Sequence, residues 1–395
     1  MSVKRVCIIA LCLASIAMGQ NLPEEIEGYL PANNSEQLNI VNHEKVRNII
    51  LLIGDGMCVA TVSHARIRGA GVRGKLHMDR MPIAGFVRTM SADKLITDSA
   101  AASTAMACGV KTNNGMISRS PDEKAYYTIM EGCQQLGMKT GLVASSSITH
   151  ATPAGFAAHT LSRREETTIA EHLISNRIDV LLGGGRAFFS PQSETGSRRK
   201  DDRNLIAEAK AAGYLFADDI ASLSSADNDR LLGLFAPEGM TTRRPEPTIK
   251  EMTSRAIEIL AKGKKGFILM VEGSQIDWAN HANDAEESAR QTLLFDQAVE
   301  VALEFAVKDQ HTLVIVTADH ETGGMAINGG SVNGEDLKIA WTSKGHTGAT
   351  VPLYGYGPGA QRLSGFHENI DIPRTFAALL GVKPFPKEKS LMPAR

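Results

Sequence analysis

Cysteine is scarce. The 395-residue chain has 5 cysteines, and Cys7 and Cys12 fall inside an N-terminal apolar stretch. Cys58, Cys108 and Cys133 remain, an odd set that excludes a disulfide framework as the source of stability. Charge of either sign is not in excess: the formal net charge is -2, without the basic surplus that general nucleic-acid binding needs. Long hydrophobic runs are missing. The longest, residues 6–17, is too short to span a bilayer comfortably. There is no internal repeat, and no histidine stands beside the most suggestive serine.

What is present begins with a leader. Lys4 and Arg5 precede the apolar core, and Ala17-Met18-Gly19 is a small-x-small cleavage site, so residues 1–19 are predicted to be a secretory signal peptide. An uncleaved anchor fits less well. The mature protein is then exported, periplasmic or secreted, with no membrane attachment after cleavage. Residues 20–44 are polar, with Pro23, Pro31 and Asn33-Asn34. They read as an N-terminal arm without its own core, suited to lie across a partner subunit. Residues 45–395 suit one large α/β domain.

Residues 48–53 (NIILLI) form a continuous apolar run closed by Gly54-Asp55-Gly56, which predicts a buried parallel strand and a sharp turn. Similar runs occur at 140–144, 178–182, 266–271 and 313–317, with shorter ones at 85–90 and 351–355, the last read as the final strand. Helical patterns cover 127–136, 205–212, 248–262 and 285–307. Residues 186–247 are the least regular part, with 197–203 a charged, solvated loop. The glycine-rich segment 321–345 reads as a small insertion. The alternation predicts an α/β fold with a central, mainly parallel sheet sandwiched by helices. Ligands of such sheets sit at the carboxyl ends of the strands.

The stretch Thr97-Asp98-Ser99-Ala100-Ala101-Ala102-Ser103-Thr104-Ala105 puts a serine ahead of a helix of very small residues. Unpaired N–H groups at such a helix start favour an anion. Ser99 is either an ordinary N-cap with Asp98 in the first turn, or a nucleophile that needs help to ionise. Around the predicted strand ends stand Asp55, Thr152, Glu272, Asp277, His281, Asp319, His320 and His346. Carboxylate with imidazole is a zinc ligand set, and carboxylate with hydroxyl suits magnesium. Asp277 and His281, four residues apart, can face one ion from a helix. The adjacent Asp319 and His320 can share one only from a loop.

Asp55-Gly56-Met57, Thr97-Asp98-Ser99-Ala100-Ala101, His150-Ala151-Thr152-Pro153-Ala154, Ser162-Arg163, Glu272-Gly273-x-x-Ile276-Asp277-x-x-x-His281, Thr317-Ala318-Asp319-His320 and His346-Thr347-Gly348 resemble the motifs of alkaline phosphatase. They come in that family's order over about residues 48–360. The resemblance implies hydrolysis of small phosphate monoesters, with broad specificity at alkaline pH, through a phosphoserine on Ser99. It implies two zinc ions and a third ion, usually magnesium. Asp277, His281 and His346 match the first zinc site. Asp55, Asp319 and His320 match the second, which also contacts Ser99. Asp55, Thr152 and Glu272 match the third. Arg163 matches the phosphate-clamping arginine. A homodimer is implied, and 321–345 would be a small crown-like insertion at its interface.

Two positions depart from many relatives. His150 replaces an aspartate near the third metal and would draw that site toward zinc, since imidazole suits zinc better than magnesium. Trp278 replaces a lysine or histidine near the phosphate and brings one donor without charge. Both are equally compatible with packing behind the site. Cys58 follows Met57 where a small residue is common and reads as an inert buried thiol. The competing functions are a phosphodiesterase of the same superfamily, and a non-catalytic metal- or phosphate-binding protein on the same scaffold.

Overall fold

The apolar run Asn48–Gly54 is buried at every position, as a strand covered on both faces of a parallel sheet must be. It is strand β1 of the computed structural model, which describes residues 29–391. The strands that follow are β2 (Ile83–Arg88), β3 (Lys139–Ser147), β4 (Val180–Gly184), β5 (Leu215–Ala217), β6 (Leu231–Leu234), β7 (Phe267–Gly273) and β8 (Thr312–Thr317). Four short ones come next, β9 (Glu321–Thr322), β10 (Ala326–Gly329), β11 (Lys338–Ala340) and β12 (His346–Thr347), then β13 (Val351–Tyr356) and β14 (Gly365–Glu368). One large sheet has the order β14-β2-β13-β8-β1-β7-β3-β4-β6-β5. Neighbours are parallel from β8 to β5. Only β13 is reversed within this sheet, antiparallel to both β8 and β2, while β14 is parallel to β2.

Helices connect the strands: α1 (Val59–Ala70), α2 (Ser99–Cys108), α3 (Ile129–Gln135), α4 (Ala151–Ala157), α5 (Glu166–Ser175), α6 (Leu205–Ala211), α7 (Ile220–Ser225), α8 (Ile249–Leu260), α9 (Gln275–Ala282), α10 (Ala285–Asp309) and α11 (Asp371–Leu380). The long α10 packs on α1, α8 and α9 and against β7 and β8. Its buried face includes Leu293, Phe295, Ala298 and Leu303. The expected sheet flanked by helices is therefore present.

Several local expectations need correction. The irregular stretch 186–247 contributes two short strands, β5 at the sheet's edge and β6 beside it, which are too short to show a period. The strand read as last is followed by β14, a half-exposed edge strand with no apolar run to announce it. The loop 197–203 is not simply solvated. Arg199 is buried, and its guanidinium pairs with Glu171 at 2.8 Å and Asp201 at 2.7 Å.

The described residues of the arm, 29–44, lie on this chain's own core. Ala32 N donates to Lys75 O and Leu38 N to Arg80 O, and Leu38 and Val41 pack on the core. The predicted signal peptide and residues 20–28 of the arm lie outside the described residues. Among the described residues, no helix is long and apolar enough to cross a membrane.

Candidate active site

Asp98, not Ser99, caps α2. Its Oδ1 accepts from Ala101 N at 3.0 Å, which makes Ser99 the first helical residue and leaves its hydroxyl free of capping. Every residue of α2 is buried, and its small side chains let α4 approach. A Cβ added at Gly155 would stand 2.3 Å from Ser103 Oγ, so glycine is what permits this contact. Ser99 Oγ lies 3.2 Å from His320 Nε2.

The other candidates converge on the same sheet edge. Asp55 directly follows β1, Glu272 is the penultimate residue of β7, and Asp319-His320 follow β8 on a loop. Asp277 and His281 lie one turn apart on α9, with His281 Nε2 3.3 Å from Asp277 Oδ2. His346 arrives on β12, whose ladder with β9 pairs it with Thr322. The His346 ring stacks on His320 with centroids 3.5 Å apart.

Among the described residues, three groups bring ligand atoms within 4.8 Å of one another: Asp277, His281 and His346; Asp55, Asp277 and His320; and Asp55, His150 and Glu272. The first matches the expected set. The second brings Asp277 in, with Asp319 Oδ2 at 3.2 Å from His320 Nε2 and Asp319 Oδ1 occupied by Gly56 N and His320 N. The third brings His150 beside the expected Asp55 and Glu272.

Both carboxylate oxygens of Asp55, Oε1 of Glu272, Oδ2 of Asp319 and Oγ1 of Thr152 are buried without a hydrogen bond. Such groups are costly unless something pairs with them. Burial, then the Asp319 and Asp277 charges, raise the Asp55 carboxyl well above its usual range. Burial pushes Glu272 up to about 7. The donor set and its orphaned oxygens thus fit divalent cations, with imidazole-rich groups suited to zinc.

Arg163 precedes α5. Its Nη1 pairs with Asp98 Oδ2 at 3.2 Å and its Nη2 lies 3.1 Å from His150 Nε2. Burial and the Arg163 charge push His150 down to about 3, so its ring is neutral and available as a ligand. Trp278 stands edge-on to His150, with ring centroids 6.2 Å apart. Cys58 is a buried free thiol, and burial pushes it up. Its Sγ accepts from Thr61 N to cap α1.

Three supporting residues escaped the sequence reading. Thr322 Oγ1 bonds Asp277 Oδ1. Glu321, buried, accepts from Gly324 N and Thr347 Oγ1. Glu166 Oε2 accepts from Ser147 at 2.8 Å and from Thr149 at 2.7 Å, bracing the turn before His150. Thr322 and Glu321 directly follow His320, and that position was their only signal.

Fold and site together define a hydrolase of a metal-using class, with its reactive edge at the carboxyl ends of the central strands. A family model described as alkaline phosphatase matches residues 46–338. Alkaline phosphatase 3 of Bacillus subtilis is 34% identical over 439 residues, covering 89% of this chain and 93% of the relative. The structure of alkaline phosphatase from the Antarctic bacterium TAB5 superposes with a TM-score of 0.78 at 34% identity, covering 86% of this chain and 99% of that one. Two structures of its variants, with a histidine replaced by aspartate or glutamate, have magnesium bound in the M3 site. The Thermus thermophilus alkaline phosphatase gives a TM-score of 0.80 at 26% identity, covering 93% and 97%. The chain belongs to the alkaline phosphatase family, which confirms the resemblance read from its motifs. It is an alkaline phosphatase, a hydrolase of phosphate monoesters.

Proposed function

We propose that this enzyme hydrolyses a broad range of phosphate monoesters at alkaline pH through a phosphoserine on Ser99. Asp277, His281 and His346 would hold one zinc. Asp55, Asp319 and His320, with Ser99, would hold a second. Asp55, Thr152 and Glu272 would hold magnesium, or zinc where His150 joins them. When bound, these ions neutralise phosphoryl charge, ease ionisation of the serine and stabilise the leaving oxygen.

The chain's own groups do the rest. Ser99 Oγ attacks phosphorus as the ester oxygen leaves, forming a phosphoserine and releasing the alcohol. Water then attacks phosphorus, and Ser99 regains its hydroxyl as phosphate departs. Arg163 offers a forked pair of N–H donors to two phosphoryl oxygens, and Asp98 orients it. The N–H groups opening α2 favour the same anion.

The carrying observation is Ser99 Oγ, free of capping and 3.2 Å from His320 Nε2, beside buried carboxylate oxygens that lack a hydrogen bond. The test is hydrolysis of p-nitrophenyl phosphate against its bis-ester by protein loaded with zinc and magnesium, followed by acid quench and mapping of the phosphorylated residue. A strong monoester preference with phosphate on Ser99, and a loss of at least ~10³-fold in Ser99→Ala, is expected. A diester preference would overturn the proposal.

We further propose that the mature protein is exported after cleavage near residue 19 and works as a homodimer. These readings rest on the leader's pattern and on the family. N-terminal sequencing of the secreted form and sedimentation of the purified enzyme test them.

A further inference from the structure

Trp278 is out of keeping with its surroundings. It follows Asp277 directly on α9, and its neighbours Asp277, Ala279 and Asn280 are buried, yet the tryptophan is 39% exposed. It is not a loose surface side chain. Its ring meets His150 edge-on, with an interplanar angle of 83°. Its far edge rests on Gly239, where an added Cβ would stand 2.5 Å from indole Cη2. Glycine at 239 is therefore what lets the chain before α8 close on the indole. The same His150 meets the clamp, with its Nε2 3.1 Å from Arg163 Nη2. A fixed, partly uncovered aromatic surface thus lies one side chain away from the phosphate clamp.

An indole has no charge to hold phosphate. It offers a flat apolar face to whatever the phosphate is attached to. We propose that Trp278 is a stacking platform for the leaving group, so that phosphate monoesters of aromatic alcohols are the substrates this site holds best. The inference rests on the monoesterase reading above and names the substrate class of that same site. Because the ring is already held on two sides, little side-chain freedom is lost when a planar group settles on it. An aromatic pair of this kind strengthens binding roughly 3- to 10-fold. The contact exists both before and during reaction, so it lowers KM and leaves kcat to the chemistry of the leaving oxygen.

The test separates binding from turnover. Inorganic phosphate, phenylphosphonate and propylphosphonate are titrated calorimetrically into the metal-loaded full-length enzyme, into Trp278→Leu and into Trp278→Phe. Phenylphosphonate is expected to bind roughly 3- to 10-fold more tightly than propylphosphonate. That advantage should disappear in Trp278→Leu and survive in Trp278→Phe. A spectroscopic arm uses Trp341→Phe, which leaves Trp278 as the sole tryptophan of the 2 in the chain. Phenylphosphonate, and not propylphosphonate, should then change its emission. Equal affinity for the two phosphonates, or an aryl advantage that persists in Trp278→Leu, overturns the inference and leaves the monoesterase reading standing. Failure of inorganic phosphate and both phosphonates to bind overturns the two together.

Discussion

The Thr322 hydroxyl donates to Asp277 Oδ1 at 2.5 Å and lies 3.2 Å from His320 Nδ1. One short side chain therefore ties the aspartate shared by two ligand groups to the histidine facing Ser99. Outer partners of this kind fix the orientation of metal ligands, and their loss typically costs about 10–100-fold in metal affinity. Thr322→Val keeps the shape and removes the tie. It is expected to lose bound divalent metal that much more readily on dialysis against a graded chelator, while Thr322→Ser retains it. Wild-type retention in the valine variant would show the tie to be dispensable.

Asp98 serves three partners with one carboxylate. Oδ1 caps α2, Gly115 N donates to both oxygens, and Oδ2 pairs with Arg163. Asparagine caps a helix about as well as aspartate but carries no charge. Asp98→Asn should therefore unfold at nearly the wild-type temperature, yet bind inorganic phosphate about 3- to 10-fold more weakly as Arg163 loses its charged partner. Asp98→Ala should also lose about 1 kcal/mol of stability with the cap. Thermal unfolding and phosphate inhibition constants separate the two roles, and unchanged inhibition in both variants would refute the orienting one.

Glu131 links three distant parts of the chain. It closes the capping box of α3 with Thr128, meets His159 Nε2 at 3.0 Å and pairs with Lys389 near the C-terminus. Burial alone would raise its carboxyl, but the His159 and Lys389 contacts outweigh burial and bring it from 4.5 to about 2. A carboxyl depressed on folding stabilises fully above its unfolded value, and that contribution is lost as pH falls toward the folded value. The window is thus pH 4.5 down to 2, and the contribution is about 3 kcal/mol. Glu131→Gln should be less stable than wild type at pH 6 and should show a shallower loss of stability across that window. Parallel pH curves would refute this.

Tyr29 fastens the arm. Its hydroxyl donates to Asp296 Oδ2 at 2.8 Å, where the buried carboxylate also accepts from the backbone N–H of His77 and of Met78. Tyr29→Phe removes one of three donors from a buried anion and should cost about 1.5–3 kcal/mol, read as a lower urea midpoint with an unchanged slope. A neutral result would mean that the arm only rests on the domain.

The central strands were legible because burial on both faces demands unbroken apolar runs, as in residues 48–53 and 313–317. The edges were not. Leu215–Ala217 and Leu231–Leu234 are too short to display a period, and Gly365–Glu368 is an edge strand whose exposed residues, Gly365 and Phe366, make no apolar run. The convergence of Asp55, Glu272, Asp319 and His320 could be anticipated because each stands at the end of such a run. The bracing by Thr322, Glu321 and Glu166 could not, since nothing local distinguishes a threonine that bonds a ligand from one that faces water. Asp98 was read as a first-turn acid because cap and first turn differ by one residue, a shift that only backbone angles decide.

The short β9–β12 ladder gives the site a foundation on one side and a hatch on the other. Asp55 directly follows β1, Glu272 lies in β7 and Asp319 comes two residues after β8, so all three are anchored at the ends of three adjacent strands in the middle of the sheet. His346 hangs on a ladder of two residue pairs, and His281 Nδ1 leans on Lys344 O in the same hairpin arm. Regions held by so few bonds open long before the whole chain does. The carboxylate floor is thus rooted in the middle of the sheet and the histidine flank in its periphery, so the two sides of the site rest on supports of unequal depth.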